Sequence, residues 1–373
     1  MTAGPTTAPA KPNRRSGGWR LERGSAPWWL RGLIPVLAIL ITFVLTAALL
    51  SLVAANPFQA FYGMLIEPLS APVSALEVLV QTTPLLLTGG AVLLAFRGGY
   101  YNIGAEGQLY AGALAAAWIG QLPLAASLPA PLVLGLMLLG SFAAGMLWAL
   151  LPALLRTRWK VDEVVTTLLL NAVMLYLISA ILQGPWLDPV TFWPQSPRIA
   201  AAAQYPILMT DSRVHLGLLV GLAVLTVLGW VIARTPFGLR LRAVGLNARA
   251  AGFMGVNVGR TVLIAALVSG GIAGLAGMGE VAGIHHRLLQ DISNNFGYSG
   301  IVVATLGALN PLGAGLAALF IALIEVGGQS VSQQMGVPTF LADVVQATLL
   351  LATLALLLLT GYRLRRTNPW TKP

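Results

Sequence analysis

Long apolar runs recur along the whole chain and constrain its fold more than any other feature of the sequence. A helix needs about 20 apolar residues to cross about 30 Å of hydrocarbon, and most of these runs approach that length. Only 9% of the residues are charged and the mean hydropathy is +0.80, which excludes a water-soluble globule. The sequence therefore predicts an all-α polytopic membrane protein with about ten transmembrane helices. The predicted spans are 33–54, 74–96, 107–120, 131–155, 161–183, 214–233, 261–284, 298–310, 312–331 and 340–361.

The first apolar run follows a basic N-terminal arm, residues 1–32. A cleaved signal peptide is the alternative interpretation, but its apolar core is usually about 7–15 residues long. The longer run favours a retained first span, with Trp28 and Trp29 at the membrane interface. Residues 1–18 are rich in Pro, Thr, Ala and Gly and are predicted to be disordered. After the arm we expect a transmembrane domain over 33–361 and a cytoplasmic tail over 362–373.

The basic residues lie on one side of the predicted spans. With the N-terminus inside, every lysine and arginine except Arg198, Arg213 and Arg287 is cytoplasmic, as the positive-inside rule requires. Both termini are therefore predicted to be cytoplasmic. Nucleic-acid binding, the other interpretation of a net charge of +10, is disfavoured because few aromatic residues accompany the basic ones. The chain has no cysteine, which excludes disulfides and thiolate metal sites.

The longest basic interruption between apolar runs is the predicted cytoplasmic loop 234–260, which carries arginines and no carboxylate. Within it, Asn247 is expected to cap a short helix over 248–254, with Gly255 at its left-handed exit. Ala250 and Ala251 would let this helix fit closely into a groove of a partner, and Phe253 and Met254 would anchor it. The alternative is an interfacial loop on lipid headgroups, because arginines also suit anionic lipid.

Two of the ten runs, 107–120 and 298–310, are too short to cross the membrane as straight helices. Polar turns of the pattern N-x-G-x-x-G adjoin them, Asn102–Gly107 in one half of the chain and Asn295–Gly300 in the other. Short glycine-interrupted segments at corresponding positions are typical of broken helices that line a transport path in a repeated fold. Chance is the alternative explanation, because the chain contains 41 glycines.

Polar groups in or near the apolar runs are candidates for a transport pathway, since lipid makes them costly unless they face protein or water. Each also has a structural interpretation. Glu106 can accept backbone N–H bonds at a helix start, amides can join helices, and the glycines before Glu280 allow close helix packing. The candidate pathway residues are Asn102, Glu106, Gln108, Asn171, Glu280, Asn295, Glu325 and Asp343.

Motifs for catalysis are missing from the sequence. The pair His285–His286 lacks the spacing of a zinc hydrolase, and no lysine follows a glycine as a phosphate-binding loop requires. We therefore predict no catalytic residue, no metal site and no cofactor in this chain. Any ATP must be bound by another subunit.

Several segments together resemble the permeases of ATP-binding-cassette importers for ribose, branched-chain amino acids and nucleosides. The run FGLRLRAVGLNARAAGFMGVNVGR is similar to the coupling loop of that family, and FRGGYYNIGAEGQLYAGALAAA is similar to the element after its second span. The resemblance extends over most of 91–338 through VDEVVTTLLLN, SGGIAGLAGMGEVAGIHHRLL and NNFGYSGIVVATLGALNPLGAGLAALF. Among branches, VDEVVTTLLLN, the HHRL segment and the NIGAEGQ form are most similar to nucleoside, particularly guanosine-type, permeases.

The resemblance implies a membrane subunit of an importer for nucleosides or related simple-sugar-type solutes in the bacterial cytoplasmic membrane. A separate ATPase with two nucleotide-binding domains would bind ATP and magnesium. A second related permease chain and an extracytoplasmic substrate-binding protein would complete the assembly. Two alternatives stay open, a proton-coupled secondary transporter of a small polar solute and a membrane scaffold without substrate flux. The residues expected to couple to the ATPase are Gly238, Arg242, Gly245, Asn247, Ala250 and Ala251.

Overall fold

The computed structural model describes residues 19–23, 28–52, 56–188, 192–338, 340–360 and 362–366. The disorder predicted for residues 1–18 lies outside the described residues, as does the end of the tail. Within the described ranges the chain is almost entirely helical, which confirms the all-α prediction. Two short strands are the exception, β1 (Trp19–Arg23) and β2 (Tyr362–Arg366), which pair in antiparallel fashion. The N-terminal and C-terminal strands therefore lie side by side.

The first half of the chain contributes four helices that are long and apolar enough to cross a bilayer. They are Trp28–Leu52, which begins five residues ahead of the first predicted span, Pro72–Arg97, Ala130–Trp159 and Glu163–Gln183. The helices of this half are α1 (Trp28–Leu52), α2 (Pro57–Leu65), α3 (Glu67–Ser70), α4 (Pro72–Arg97), α5 (Ala105–Gln121), α6 (Pro123–Ser127), α7 (Ala130–Trp159) and α8 (Glu163–Gln183).

The second half contributes four more helices of that kind, so the described residues contain 8 candidate membrane spans. One of them, the helix that begins at Val258, continues into a π-helical turn over Glu280–His285. The helices of this half are α9 (Gly217–Arg234), α10 (Pro236–Leu246), α11 (Ala248–Phe253), α12 (Val258–Gly279), α13 (Phe296–Leu306), α14 (Pro311–Met335) and α15 (Leu341–Thr360). The two remaining predicted crossings are the shorter helices α5 and α13.

Apart from α6, the order of elements is the same in both halves. Each half has a span, two short helices, a long span, a polar turn, a short helix and two further spans. The short pair is α2 and α3 in the first half, and α10 and α11 in the second. If α5 and α13 are counted as crossing elements beside the four spans of each half, each half crosses the membrane an odd number of times, so the two halves run in opposite directions. This order fits the internal repeat expected from the paired polar turns and gives it an inverted topology.

Small residues let the central helices approach at backbone distance. A Cβ atom on Gly274 would lie 2.3 Å from the carbonyl oxygen of Ser141 in α7. A Cβ atom on Gly277 would lie 2.0 Å from the carbonyl oxygen of Leu109 in α5. The glycine-rich α12 therefore packs directly on α5 and α7, as expected for small-residue interfaces between membrane helices. The deeply buried α4, together with α5 and α12, forms the interior of the bundle, whereas α7 has a largely unburied span.

Candidate functional site

The two polar turns meet inside the bundle. Glu106, in the first turn of α5, directs its carboxylate at the start of α13, where Oε2 accepts a hydrogen bond from the backbone N–H of Gly297 at 2.7 Å. The approach is so close that a Cβ atom on Gly297 would lie 2.2 Å from the backbone nitrogen of Glu106. The short helices of the two halves therefore begin against each other, with Glu106 buried between them.

This meeting point lies within the membrane-spanning part of the molecule. Asn102, in the turn before α5, donates a hydrogen bond to Oγ of Ser269 at 2.9 Å. Ser269 in turn donates to the carbonyl oxygen of Ala91 at 2.7 Å. Because Ser269 and Ala91 lie well inside α12 and α4, the chain folds back into the bundle after α4 ends.

The carboxylate of Glu106 stands where two helix dipoles converge. Each helix start carries about half a positive charge, and its first N–H groups lack partners within the helix. Asn295, which precedes α13, has a left-handed backbone with φ of 60° and makes no capping hydrogen bond. Oγ of Ser293 accepts a hydrogen bond from the backbone N–H of Phe296 at 3.2 Å, and Glu106 supplies from the other half of the chain the acceptor for the next N–H, that of Gly297. In broken transporter helices, such N-termini commonly face anionic groups of a substrate.

Three of the predicted pathway amides hold the first polar turn in place. Asn102 and Gln108 exchange two hydrogen bonds, Nδ2 to Oε1 at 2.8 Å and Nε2 to Oδ1 at 3.1 Å. Asn171 of α8 accepts from the backbone N–H of Gly107 at 2.9 Å and donates to the hydroxyl of Tyr298 at 3.1 Å. All three amides are buried. Their contacts fit the structural interpretation, and a direct contact with a solute stays a prediction.

The remaining acidic candidates lie elsewhere. Gln346 donates a short hydrogen bond to Glu325 and accepts one from Ser299 at 2.7 Å, so these side chains join α13, α14 and α15. Asp343 is exposed in the first turn of α15, where a carboxylate complements the helix dipole. Asn295 is also exposed. The structure therefore brings Asn102, Glu106, Gln108 and Asn171 together and leaves the other predicted pathway residues apart from them.

Glu280 borders a polar cavity of about 250 Å³ between α4, the π-helical turn, the turn before α13, and α14. Arg213 also lines this cavity and contacts Glu77 at 2.6 Å. Gln81 also lines the cavity but was not among the predicted pathway residues. It could have been predicted from the sequence, because it is a polar residue inside the second apolar run. Wider grooves lie elsewhere on the surface, but this cavity adjoins the start of α13 through Phe296.

At the opposite end of α4, the loop 234–260, which the sequence predicts to be cytoplasmic, folds as α10 and α11. We call these two helices the cytoplasmic helix pair. Oδ1 of Asn247 accepts a hydrogen bond from the backbone N–H of Ala250 at 3.0 Å, and Gly255 has a φ of 82°. The expected cap, short helix and left-handed exit are therefore confirmed, with the helix ending one residue earlier than expected.

Two neighbouring alanines of α11, Ala250 and Ala251, differ in burial. Ala251 is buried and packs with Tyr100 and Ala153 of the same chain, whereas Ala250 is exposed. Phe253 and Met254 are 93% and 84% exposed. The outward surface of α11 therefore carries Ala250 and two large apolar side chains, while Ala251 fixes the helix to the bundle.

Three other residues were expected to couple the chain to the ATPase. In the structure they anchor α10 to the transmembrane helices. A Cβ atom on Gly245 would lie 2.1 Å from the carbonyl oxygen of Arg97 at the end of α4, and one on Gly238 would lie 2.4 Å from a carbonyl oxygen of α9. Arg242 donates to another carbonyl oxygen of α9 at 3.4 Å. Residues 98–104 lead directly from this anchor to α5. Displacement of α10 would therefore act on the polar turn that holds Glu106.

An inverted helical repeat, two short helices that begin against each other, and a loop helix pair packed on the bundle are the features of a membrane subunit of a transporter. The chain belongs to the family described as the permease component of the branched-chain amino acid transport system, whose model matches residues 74–354. It is therefore a transport component rather than an enzyme, and this family works with ATPase and substrate-binding partners in general.

Named relatives align over most of the chain. A glucose ABC transporter permease of Haloferax volcanii, TsgB13, is 37% identical over 88% of this chain and 88% of its own length. A guanosine ABC transporter permease of Bacillus subtilis, NupP, is 33% identical over 86% of this chain and 92% of its own. A nucleoside ABC transporter permease of Lactococcus lactis, NupB, is 28% identical over 85% of this chain and 89% of its own.

Proposed function

We propose that this chain is a permease subunit of an ATP-driven importer for nucleosides or related sugar-type solutes. The similarity to permeases named for guanosine and for glucose supports this class of solute, because both solutes carry a polyhydroxylated ring. The family relationship favours this function over the proton-coupled transporter and the scaffold.

The assembly that we propose has separate chains for fuel, membrane passage and solute delivery. A partner ATPase with two nucleotide-binding domains binds ATP and magnesium, since the chain has no phosphate-binding loop of its own. A second, related permease pairs with this one. Bacillus subtilis supports that pairing, because two guanosine permeases of that organism, NupP and NupQ, are similar to this chain at 33% and 28% identity. An extracytoplasmic binding protein delivers the solute.

In the proposed orientation, the cytoplasmic helix pair and both termini lie inside the cell, in the bacterial cytoplasmic membrane. The basic residues of 234–260 support this orientation through the positive-inside rule. The pairing of β1 with β2 supports placing the two termini on one side. The cavity beside Glu280 would then open toward the outer side.

One observation carries the coupling mechanism: α11 presents Phe253 outward while Gly245 locks α10 onto the carbonyl oxygen of Arg97. ATP binding closes the ATPase and displaces α11. The displacement passes through α10 to residues 98–104 and then to the contact between Glu106 and α13. Movement of the paired short helices would switch the solute path between outward and inward access.

Vesicle transport tests this function. Purified permease chains and ATPase are reconstituted into proteoliposomes with the binding protein, and uptake of labelled guanosine and glucose is measured. We expect accumulation of at least one solute that requires hydrolysable ATP and survives a protonophore. Uptake that follows an imposed proton gradient without any ATPase would contradict the proposal. A non-hydrolysable ATP analogue serves as the control for energy supply.

A further inference from the structure

We propose that the cavity beside Glu280 is a binding subsite for the sugar moiety shared by nucleosides and hexoses. The class of solute is taken from the proposed function. The new inference is the place in the permease where that solute binds, and the part of the solute, its sugar ring, that the permease recognises. The proposal is based on a buried carboxylate that forms no hydrogen bond in the described part of the chain. This carboxylate borders a cavity that is also lined by one half-buried amide, Gln81, and two exposed amides, Asn294 and Gln329.

Glu280 is the central group of this subsite. The residue is 6% exposed, and the nearest basic side chain that contacts its carboxylate is the imidazole of His285, whose Nε2 lies 3.7 Å away, beyond hydrogen-bond distance. A buried carboxylate is costly unless donors satisfy it, so Glu280 provides a strong acceptor for hydroxyl groups of a ligand. The residue also begins the π-helical turn, and such turns within α-helices are frequent at functional sites.

Three amides from different elements complete the polar lining. Gln81 comes from α4, Asn294 from the turn before α13, and Gln329 from α14. None of their side chains forms a hydrogen bond to protein within the part of the chain that the structure describes. An amide offers two donors and an acceptor, and a hydroxyl is both donor and acceptor. Together with Glu280, the amides therefore match a ring that carries several neighbouring hydroxyl groups.

The size of the cavity suits one ring. At about 30 Å³ per water molecule in the liquid, its volume of about 250 Å³ corresponds to roughly eight waters. Pockets for drug-sized ligands are generally larger, about 300–1,000 Å³, so part of a nucleoside would extend out of it. Phe296, Ile284 and Ile292 provide an apolar wall for the C–H face of a sugar. Phe296 also begins α13, so a bound ring would contact the helix that Glu106 caps.

The charge of the lining favours neutral solutes. Three acidic side chains, Glu77, Glu280 and Asp291, line the cavity, and Glu77 already engages the one arginine of the lining, Arg213. An added phosphate would therefore find no unengaged arginine or lysine among the lining residues, in a partly desolvated site. The subsite should therefore accept nucleosides and free sugars and reject nucleotides and sugar phosphates.

Saturation-transfer NMR on the complete permease–ATPase complex in nanodiscs, without the binding protein, tests the subsite directly. The probes are guanosine, D-ribose and guanosine 5′-monophosphate. We expect the strongest saturation on the ribose protons of guanosine, displacement by D-ribose, and no signal from the monophosphate. Glu280→Gln and Gln329→Leu should each weaken guanosine binding about tenfold, the loss expected when a good hydrogen bond to a ligand is removed.

The matched control is Glu67→Gln, the same chemical change at a glutamate outside the cavity that contacts Gln334. Its guanosine affinity should equal that of the unmodified complex. Saturation concentrated on the guanine protons, or unchanged affinity in Gln329→Leu when Glu280→Gln fails to assemble, would overturn the subsite. ATP-driven uptake by the unmodified complex separates the two proposals. If the complex takes up guanosine but NMR shows no saturation of the ribose protons, only the subsite is rejected. If ATP drives uptake of neither guanosine nor glucose, the proposed function is rejected.

Discussion

Glu106 shows how one side chain sets the position of two helices. Its carboxylate belongs to α5 and satisfies a backbone N–H of α13. The contact joins residues that are 191 positions apart. The sequence indicates that Glu106 begins a short helix, but the identity of its partner depends on the packing of both halves.

Replacement of Glu106 tests this positioning role. Glu106→Ala leaves the backbone N–H of Gly297 without its acceptor, whereas Glu106→Gln retains a neutral one. Since hydrogen bonds to charged groups contribute about 1.5–3 kcal/mol, we expect the melting temperature and the rate of ATP-driven uptake to fall most in Glu106→Ala. Attachment of the ATPase, measured by co-purification, should persist because the cytoplasmic helix pair is unchanged. Normal uptake by Glu106→Ala would contradict the role.

A second residue-scale prediction concerns the segment before α9, where His215 stacks on Tyr205 with ring centroids 5.6 Å apart. Burial, and to a smaller extent the nearby His286, lower the pKa of His215 to about 4. In the unfolded chain the pKa of a histidine is about 6.5, so the unfolded state takes up the proton first as the pH falls. The stability that neutral His215 contributes is therefore present above about pH 6.5 and is lost as the pH falls toward 4.

The melting temperature of the purified complex, measured from pH 8 to pH 4, checks this expectation. We expect His215→Gln to flatten the decline below about pH 6.5, since glutamine does not titrate. Equal slopes for both proteins in that window would contradict it.

Among the helices, α11 allows the effect of docking to be tested separately from the effect of folding, because Ala250 is exposed and Ala251 is buried. Ala250→Leu places a larger side chain on the exposed face and should uncouple ATP hydrolysis from uptake while the permease assembles normally. Ala251→Leu forces the same group into the packed contact with Tyr100 and should destabilise the permease by about 1–3 kcal/mol. The measurements are the ratio of transported solute to hydrolysed ATP, and thermal unfolding. Coupled transport in Ala250→Leu would count against the docking surface.

The anchor of α10 gives a parallel prediction. Gly245→Ala places a Cβ atom 2.1 Å from the carbonyl oxygen of Arg97, so α10 must move away from α4. We expect a loss of about 1–3 kcal/mol in unfolding free energy from this overpacking, with weaker coupling. Gly135→Ala in α7 is the matched control, because no atom lies within 4 Å of its added Cβ. Equal behaviour of the two variants in melting and uptake assays would show that the contact has no mechanical role.

The sequence predicted where the helices lie better than it predicted which side of each helix is buried. Hydropathy located the ten crossing elements, and the residues around Asn247 predicted α11 because a cap and a left-handed exit are local features. It did not distinguish Ala250 from Ala251, since the buried face of so short a helix depends on what packs beneath it. Likewise, Gln81 became a candidate only when the fold placed it beside Glu280.

At the scale of the molecule, the inverted repeat explains why the two polar turns converge. One turn enters the bundle after α4 and the other after α12, and their short helices begin at a common contact. The same arrangement links the cavity beside Glu280 to the cytoplasmic helix pair through α13, α5 and residues 98–104. The repeated turns were visible in the sequence, but the cavity required three-dimensional packing of four separate elements.

The proposed coupling requires that α11 contacts a cytoplasmic ATPase and moves when the ATPase closes. Because the chain contains no cysteine, a Phe253→Cys variant carries a single reporter thiol on the exposed face of α11. Arg213→Cys, in the segment between α8 and α9, provides the corresponding reporter for the opposite surface. In the assembled complex, we predict that the thiol at position 253 crosslinks to the ATPase and that, in intact cells, a membrane-impermeant maleimide labels only position 213. Labelling of position 253 from outside, without a crosslink to the ATPase, would contradict the account.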